Sequence, residues 1–406
     1  MNIHFEKSRL SGAVKAPPSK SMAHRYLICA ALANGESTIR GISDSKDISA
    51  TLSCLSALGV CWERDGDTVR VHGKDMKKDT EQRELFCNES GSTLRFFIPL
   101  CMLSGYGATL SGSDTLMSRP LTVYEKLFEE KGLPFEKRGD NSLFVGGKLK
   151  PGEYRVAGNV SSQFISGLLF VLPLLGRDSV ISIIPPIESE PYLKLTVKAL
   201  EDFGVKVEFS DELTIKIKGN QRYQPQDVTV EGDYSNAAFL EALNLFDEND
   251  LTVTGLSEDS LQGDRIFYDY FDKLRCGMPT LYIGNCPDLG PVLMAIAAAM
   301  NGAVFCGTHR LKMKESDRGA AMAEELAKFG VAVNAEEDSI VVYPANFHAP
   351  EEPLDGHNDH RIVMALSTIL CRLGGTIRGA QAVEKSYPEY FDTLKTLGAV
   401  FTEEEI

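Results

Sequence analysis

Six stretches of the chain repeat one pattern, and that recurrence limits the fold more than any single motif does. They are "SKDISATLSCLSALGV", "SRPLTVYEKLFEEKGL", "EPYLKLTVKALEDFGV", "GDRIFYDYFDKLRCGM", "ESDRGAAMAEELAKFGV" and "KSYPEYFDTLKTLGAV". Each carries apolar residues at helical spacing and stops at a glycine, the residue favoured just past a helix end. The glycines are Gly59, Gly132, Gly204, Gly277, Gly330 and Gly398, at intervals of 73, 72, 73, 53 and 68 residues. Short alternating runs such as "DTVRVHG" and "LTIKIKG" follow several of them and read as hairpin strands.

Six other stretches precede the strands of these units: "SKSMAHRYLICAALANG", "ESGSTLRFFIPLCML", "VSSQFISGLLFVLPLL", "DYSNAAFLEALNLF", "PDLGPVLMAIAAAMNG" and "NDHRIVMALSTILCRLGG". Past the first turn several are apolar almost all round, the mark of a helix enclosed on every side. The unit is therefore buried helix, strand, polar junction, amphipathic helix and hairpin. Three copies fill roughly residues 19–219 and three roughly 233–405. The sixth copy runs out of chain before its last strand, and the N-terminal run "MNIHFEKS" would supply it. The expected fold class is α/β with two domains, each three repeats of a βαβαββ-type unit with buried helices and outer sheets. Residues 1–14 and 229–406 would form a domain containing both termini, and residues 15–228 an inserted domain. Two connections, near "KAPPSK" and "NQRYQPQD", would join them. The active site is expected in the cleft between them, where a double hinge suits closure on a ligand.

A length of 406 residues also favours two domains over one core. No apolar run reaches membrane-spanning length, and "FISGLLFVLPLL" is short and carries Gly167 and Pro173. The start, "MNIHFEKSRL", lacks the apolar stretch of a signal peptide. Nine cysteines without a C-x-x-C pair point away from a disulfide framework or a zinc ribbon. The reading is a reduced, cytoplasmic protein, expected as a monomer. A formal net charge of −15 disfavours nucleic acid and anionic membranes as partners. It also makes any local cluster of Lys and Arg informative.

Such clusters fall at helix starts, where unpaired N–H groups and the helix dipole favour anions. "SKSMAHR" offers Lys20, Ser21 and Arg25; "ESGSTLR" offers Ser90, Gly91, Ser92 and Arg95; "SSQ" offers Ser161, Ser162 and Gln163. "MSRPL" gives Arg119, "ESEPY" Ser189, "NDHR" His360 and Arg361, and "VEKSYPEY" Lys385. Most concentrated is "KMKESDR", with Lys312, Lys314, Glu315, Asp317 and Arg318 in seven positions. Taken singly, Ser and Asp at a helix start are caps and a charge run is a solvated loop. Basic residues at helix starts oppose the dipole, however, so their recurrence in both halves of an acidic chain points to multiply charged anionic ligands. "HNDH" (residues 357–360) invites a metal reading but lacks a known ligand spacing, and neither metal nor cofactor is expected.

The motifs "PPSKSMAHR", "ESGSTLRF", "SRPL", "VSSQF", "PDLGP", "KMKESDR", "NDHR" and "EKSYPEYF" occur in the order found in the enolpyruvyltransferases. Over essentially its whole length the chain resembles the 3-phosphoshikimate 1-carboxyvinyltransferase family, also called 5-enolpyruvylshikimate-3-phosphate synthases. The resemblance implies an inside-out α/β barrel in each domain. It also implies transfer of the enolpyruvyl group of phosphoenolpyruvate to the 5-hydroxyl of shikimate 3-phosphate, through a tetrahedral intermediate that loses phosphate. That reaction belongs to chorismate and aromatic amino acid biosynthesis, and the family is the target of glyphosate. By motif, Ser21, Arg25, Ser161, Ser162, Ser189 and Lys314 would hold shikimate 3-phosphate. Gly91, Arg119, Gln163, Arg318, Arg361 and Lys385 would hold phosphoenolpyruvate. Lys20 would touch both substrates. Asp288 is the implied base on the 5-hydroxyl, which it also binds, and Glu315 the implied proton donor to the methylene carbon. Where the family often has Asn, this chain has Glu89 and Arg310.

Two other readings define what a test must separate. The enolpyruvyltransferase acting on UDP-N-acetylglucosamine shares the repeats but usually carries a mobile-loop cysteine, and the surroundings of "MSRPL" hold none. A non-catalytic anion-binding protein would need the cations but not Asp288 and Glu315. A ring-shaped nucleic-acid clamp is also built from repeats, but it spreads Lys and Arg along helix faces, not at helix starts.

Overall fold

Every enclosed stretch read from the sequence forms a helix, and each is followed by a short strand. The structure, a computed structural model, describes residues 1–246 and 248–404. In chain order its helices are α1 (Lys20–Leu32), α2 (Lys46–Ala57), α3 (Gly91–Leu100), α4 (Asp114–Met117), α5 (Thr122–Glu130), α6 (Ser162–Val171), α7 (Glu190–Asp202), α8 (Tyr234–Glu241), α9 (Phe267–Cys276), α10 (Gly290–Ala299), α11 (Arg318–Ala327), α12 (His360–Leu373) and α13 (Tyr390–Thr396). Helices α1, α3, α6, α8, α10 and α12 are the enclosed ones. Every residue of α1 from Met22 on is buried, and so is every residue of α10 from Gly290 to Ala298. With apolar atoms on all sides, any face left in water would cost about 25 cal/mol per Å². The amphipathic helices α2, α5, α7, α9, α11 and α13 bury one stripe and cover the strands; in α7 that stripe is Leu193, Leu195, Thr196, Ala199 and Leu200.

One sheet shows the pattern of the repeat. Glu153–Ala157 runs parallel to Ser179–Ile184, as the buried α6 between them requires. Ser179–Ile184 then pairs antiparallel with Thr214–Ile217, the second strand of a hairpin with Val207–Asp211. Among the described residues five sheets have four strands in this arrangement and one has two. In the last repeat the N-terminal strand Asn2–Phe5 lies antiparallel between Gly375–Arg378 and Phe401–Glu404. The start of the chain thus completes the repeat that its end leaves short.

The repeats of the βαβαββ-type unit differ in one place. Among the described residues the unit built on α8 and α9 pairs Ser11–Lys15 with Asp250–Thr254 and has no hairpin. After α9 the chain enters Thr280–Tyr282, already the leading strand of the next sheet. The missing hairpin is the physical reason for the 53-residue interval between Gly277 and Gly330. Gly277 itself is extended (φ 158°, ψ −151°), whereas Gly330 closes α11 in the left-handed region at φ 81°.

The chain divides into two compact units, Met1–Ser19 with Glu231–Ile406, and Lys20–Val230. Two strands precede the helix of one unit while pairing in the other. Ser11–Lys15 leads into α1 yet pairs with Asp250–Thr254, and Asp227–Thr229 leads into α8 yet pairs with Glu36–Arg40. Within the Lys20–Val230 unit, α3 and α6 cross closely at Gly167. A Cβ there would lie 2.3 Å from the Tyr124 hydroxyl and 2.8 Å from the Arg95 carbonyl. That hydroxyl donates to the carbonyl of Phe164 (2.9 Å) or Arg95 (3.1 Å), fixing the starts of the two helices relative to each other.

Candidate active site

In the Lys20–Val230 unit the charged and hydroxyl residues gather at helix starts. Ser90 caps α3 by accepting from the Thr93 amide at 3.2 Å, which leaves Gly91 as the first helical residue. A Cβ on Gly91 would stand 3.0 Å from Arg119 Nη1 and 3.4 Å from Arg95 Nη1. Arg95 Nη1 donates to Gln163 Oε1 (2.7 Å), and Gln163 Nε2 donates to Ser92 Oγ (2.8 Å). Gly91, Arg119 and Gln163, three of the residues expected on phosphoenolpyruvate, are thereby brought together, with Arg95 and Ser92 as the link. Arg95 itself lies over the Phe164 ring at 5.3 Å.

Arg25 is buried in α1. It donates from Nη1 to the Ser21 carbonyl (2.6 Å), from Nε to Thr196 Oγ1 (2.9 Å) and from Nη2 to the Tyr192 carbonyl (3.0 Å). Thr196 Oγ1 also bonds Ser166 Oγ at 2.7 Å, which ties α1, α6 and α7 together. The starts of these helices carry Ser21, the N-cap Ser161 with Ser162, and Ser189, which stands at the N-cap position of α7 in a left-handed conformation (φ 55°). Burial, opposed by its neighbours, brings the Arg25 guanidinium down to a pKa of about 10, so it stays charged at neutral pH. Lys20 pairs with Asp47 at 2.8 Å. A buried chain of hydrogen bonds from His24 through Thr51 and Thr93 to Ser90 joins α1, α2 and α3. Burial, reinforced by Lys20 and Arg25, keeps the His24 imidazole neutral.

The other unit holds the answer to "KMKESDR". It is not a plain solvated loop. A 3₁₀ turn (His309–Met313) ends in extended backbone at Lys314, and α11 begins at Arg318. Asp317 caps α11 by accepting from the Ala320 amide (3.1 Å), and Lys312 is exposed. The remaining charges turn inward. Arg318 is almost fully buried and donates to three carboxylates. Nη1 reaches Asp288 Oδ1 (2.8 Å), Nη2 reaches Glu315 Oε2 (2.7 Å) and Asp359 Oδ1 (3.2 Å), and Nε reaches Asp359 Oδ2 (2.8 Å). Lys314 Nζ shares Asp288 Oδ1 at 3.0 Å, and Arg361 Nη2 lies 3.7 Å from Asp288 Oδ2. Arg361 Nη1 donates to Asn236 Oδ1 (3.0 Å), and Lys385 Nζ donates to the Asn358 carbonyl (2.6 Å). Asp288, Lys314, Glu315, Arg318 and Arg361 thus form one cluster. Lys385 joins it through Asn358 and sits at the end of a 3₁₀ turn, five residues before α13, rather than at a helix start.

Two aspartates of this unit, the part-buried Asp288 and the buried Asp264, have opposite electrostatics. Burial pushes the Asp288 carboxyl up, but Lys314, Arg318 and Arg361 outweigh it and hold the pKa well below the usual carboxylate range. Asp264, hydrogen-bonded to Ser235 Oγ, is pushed up to about 7 by burial and by the charge of Asp288. Lys314 is lowered by burial despite its pairing with Asp288. Of "HNDH", Asp359 serves Arg318, and His357 donates to the buried Glu325 carboxylate on α11. Among the described residues, ligand atoms of Glu324, Glu325 and His357 lie within 4.8 Å of one another.

A family model described as EPSP synthase (3-phosphoshikimate 1-carboxyvinyltransferase) matches residues 5–394. The chain belongs to the EPSP synthase family. A relative from Clostridium beijerinckii named 3-phosphoshikimate 1-carboxyvinyltransferase is 39% identical, over 99% of this chain and 98% of its own. One of the same name from Clostridioides difficile is 38% identical, over 98% and 97%. The fold agrees with a solved EPSP synthase of Acinetobacter baumannii at a TM-score of 0.78 and 20% identity, covering 99% of this chain and 100% of that one. The enolpyruvyl transferase NikO of Streptomyces tendae also aligns at 0.78, with 18% identity and 99% and 98% coverage. As a member of the EPSP synthase family the chain is a transferase, and its two-unit α/β repeat architecture is the enolpyruvyltransferase fold.

Sequence reasoning missed Asp47, Asn236 and Asp264 as parts of these clusters. Asp47 and Asp264 lie in the polar junctions of the first and fourth repeats, so an alignment of the junctions signals both. Asn236 carries no such signal. It is buried in α8 and meets Arg361 only through the tertiary fold.

Proposed function

We propose that Asp288 and Glu315 are the base and the acid of the reaction this chain catalyses, transfer of the enolpyruvyl group of phosphoenolpyruvate to the 5-hydroxyl of shikimate 3-phosphate with release of phosphate. Glu315 gives a proton to the methylene carbon of phosphoenolpyruvate, which makes the adjacent carbon electrophilic. The 5-hydroxyl adds there while Asp288 takes its proton, forming a tetrahedral intermediate. The bond to the phosphate oxygen then breaks, inorganic phosphate leaves, and the new methyl group returns a proton to Glu315 as the double bond re-forms. Acid–base help of this kind is worth roughly 10²–10⁴-fold.

The observation that carries this reading is the single guanidinium of Arg318 bridging Asp288 and Glu315 at 2.8 and 2.7 Å. An anion-binding protein would not need two carboxylates fixed among its cations. In this reading Ser21, Arg25, Ser161, Ser162, Ser189 and Lys314 hold shikimate 3-phosphate. Gly91, Arg119, Gln163, Arg318, Arg361 and Lys385 hold phosphoenolpyruvate, and Lys20 touches both. No helix among the described residues is long and apolar enough to cross a membrane, and we read the enzyme as a cytoplasmic monomer.

A phosphate-release assay tests the function. Release is expected only with both substrates together and with no added metal or nucleotide. Equal release with UDP-N-acetylglucosamine as acceptor would overturn the assignment.

A further inference from the structure

Glu325 lies on α11 seven residues after Arg318, about two turns along the same face. It has no exposed surface, yet its carboxylate is fully engaged. Oε1 accepts from His357 Nε2 at 3.0 Å, and Oε2 accepts from the Asp355 amide at 2.9 Å and from Lys328 Nζ at 2.9 Å. An apolar residue would serve packing better, because a buried carboxylate is costly unless it is paired.

What Glu325 grips is the segment 355–359. His357 and Asn358 are both left-handed, with φ 48° and 49°, a conformation that residues with a Cβ adopt only under constraint. The His357 amide closes the turn by donating to Asp355 Oδ1 at 2.6 Å. The turn then aims the Asn358 carbonyl at Lys385 Nζ (2.6 Å) and the Asp359 carboxylate at Arg318 Nε (2.8 Å). Two cations of the cluster therefore depend on one short segment whose far side is fastened to α11.

We propose that Glu325 is a positioning residue for phosphoenolpyruvate. By accepting from His357 and the Asp355 amide, it holds the left-handed turn that sets Lys385 and Arg318 in place. This rests on the assignment of those two cations to phosphoenolpyruvate. Glu325 touches no substrate in this scheme and acts only through the 355–359 turn.

Glu325→Gln keeps the volume but removes the charge and one acceptor oxygen; with its carbonyl kept on the Asp355 amide and Lys328, its NH2 faces His357 Nε2, which must switch tautomer to accept, so the charge-assisted bond to the turn is lost. The KM for phosphoenolpyruvate should rise about tenfold, the scale of a misplaced charge-assisted hydrogen bond. The KM for shikimate 3-phosphate should change less than about twofold on the same scale, and kcat should fall less than the first KM rises. His357→Asn should show the same split, and the double variant should be no worse than the worse single one. If Glu325→Gln does not fold, His357→Asn carries the test alone. Glu324→Gln, an exposed neighbour on α11, should leave both KM values unchanged. An equal loss in Glu324→Gln would replace the positioning role with a metal site shared by Glu324, Glu325 and His357. Equal rises in the two KM values, or a lower melting temperature with both KM values unchanged, would reduce Glu325 to a stabilising residue and overturn the proposal. A wild type that releases no phosphate from the two substrates together would instead overturn the functional assignment.

Discussion

Arg318 donates from Nη1 to Asp288 Oδ1 at 2.8 Å, and the same guanidinium holds Glu315 at 2.7 Å. Of its five N–H donors, four are committed to carboxylates in this conformation. In the proposed mechanism Arg318 would therefore organise the acid and the base as well as bind an anion. Arg318→Lys keeps the charge but loses the planar fork that reaches three carboxylates. Its kcat should fall by about 10²-fold or more, because both proton-transfer groups are displaced. A steady-state comparison in which only the KM for phosphoenolpyruvate rises would leave Arg318 as an anion ligand alone.

Asp264 predicts a pH dependence of stability. Its carboxyl is raised to about 7 in the folded chain by burial and by Asp288, from an ordinary value of 3.8. Between those values the folded state keeps a proton that the unfolded state has lost. The stabilisation is thus fully present below the unfolded pKa and is lost as pH rises through the folded one. The slope from this group alone is about 1.4 kcal/mol per pH unit across that window. Asp264→Asn removes it, so urea unfolding should find the variant gaining on the wild type from pH 4.5 to pH 7.5. Parallel stability curves over that range would show that Asp264 does not titrate there.

The repeats were legible because glycine-closed helices and all-apolar helices follow from local physics. Part of the site was legible in the same way. Arg119 lies 13 residues before Gly132, Asp264 13 before Gly277, Arg318 12 before Gly330 and Lys385 13 before Gly398. Charged residues thus recur at one place in these four repeats, the junction that feeds the amphipathic helix. What could not be read was pairing. Nothing local says that Arg318 meets Asp359 or that Arg361 meets Asn236, 125 residues away. Nor does periodicity reveal that the fourth unit drops its hairpin. Only the short interval between Gly277 and Gly330 marks it.

Gly91→Ala adds a methyl 3.0 Å from Arg119 Nη1 and 3.4 Å from Arg95 Nη1. Both contacts are side-chain ends, so the helix should survive and the guanidinium of Arg119 should shift by a few tenths of an ångström. The KM for phosphoenolpyruvate should rise modestly. Glyphosate, longer than the substrate, should lose more, since close-packed walls tolerate added volume poorly. A competitive inhibition series reads the ratio of inhibition constant to KM. A ratio equal to the wild type's would take Gly91 out of the site wall.

Asp288→Asn retains an oxygen for Lys314 and Arg318 but cannot accept a proton. Its kcat should drop by roughly 10²-fold or more while substrate binding largely survives. Isothermal titration with shikimate 3-phosphate checks the second half. A kcat near the wild type's would make Asp288 a partner of the cations and nothing more.

If Glu315 protonates the methylene carbon as proposed, the reaction should leave a direct trace in heavy water. The proposed tetrahedral intermediate carries a methyl group, and elimination would remove any one of its three hydrogens. Run in D₂O, the reaction should place deuterium in the vinyl methylene of the product, read by proton NMR. In Glu315→Gln both turnover and incorporation should fall together, by about 10²-fold. A product formed at the wild-type rate with no deuterium in its methylene would contradict addition and elimination at these residues.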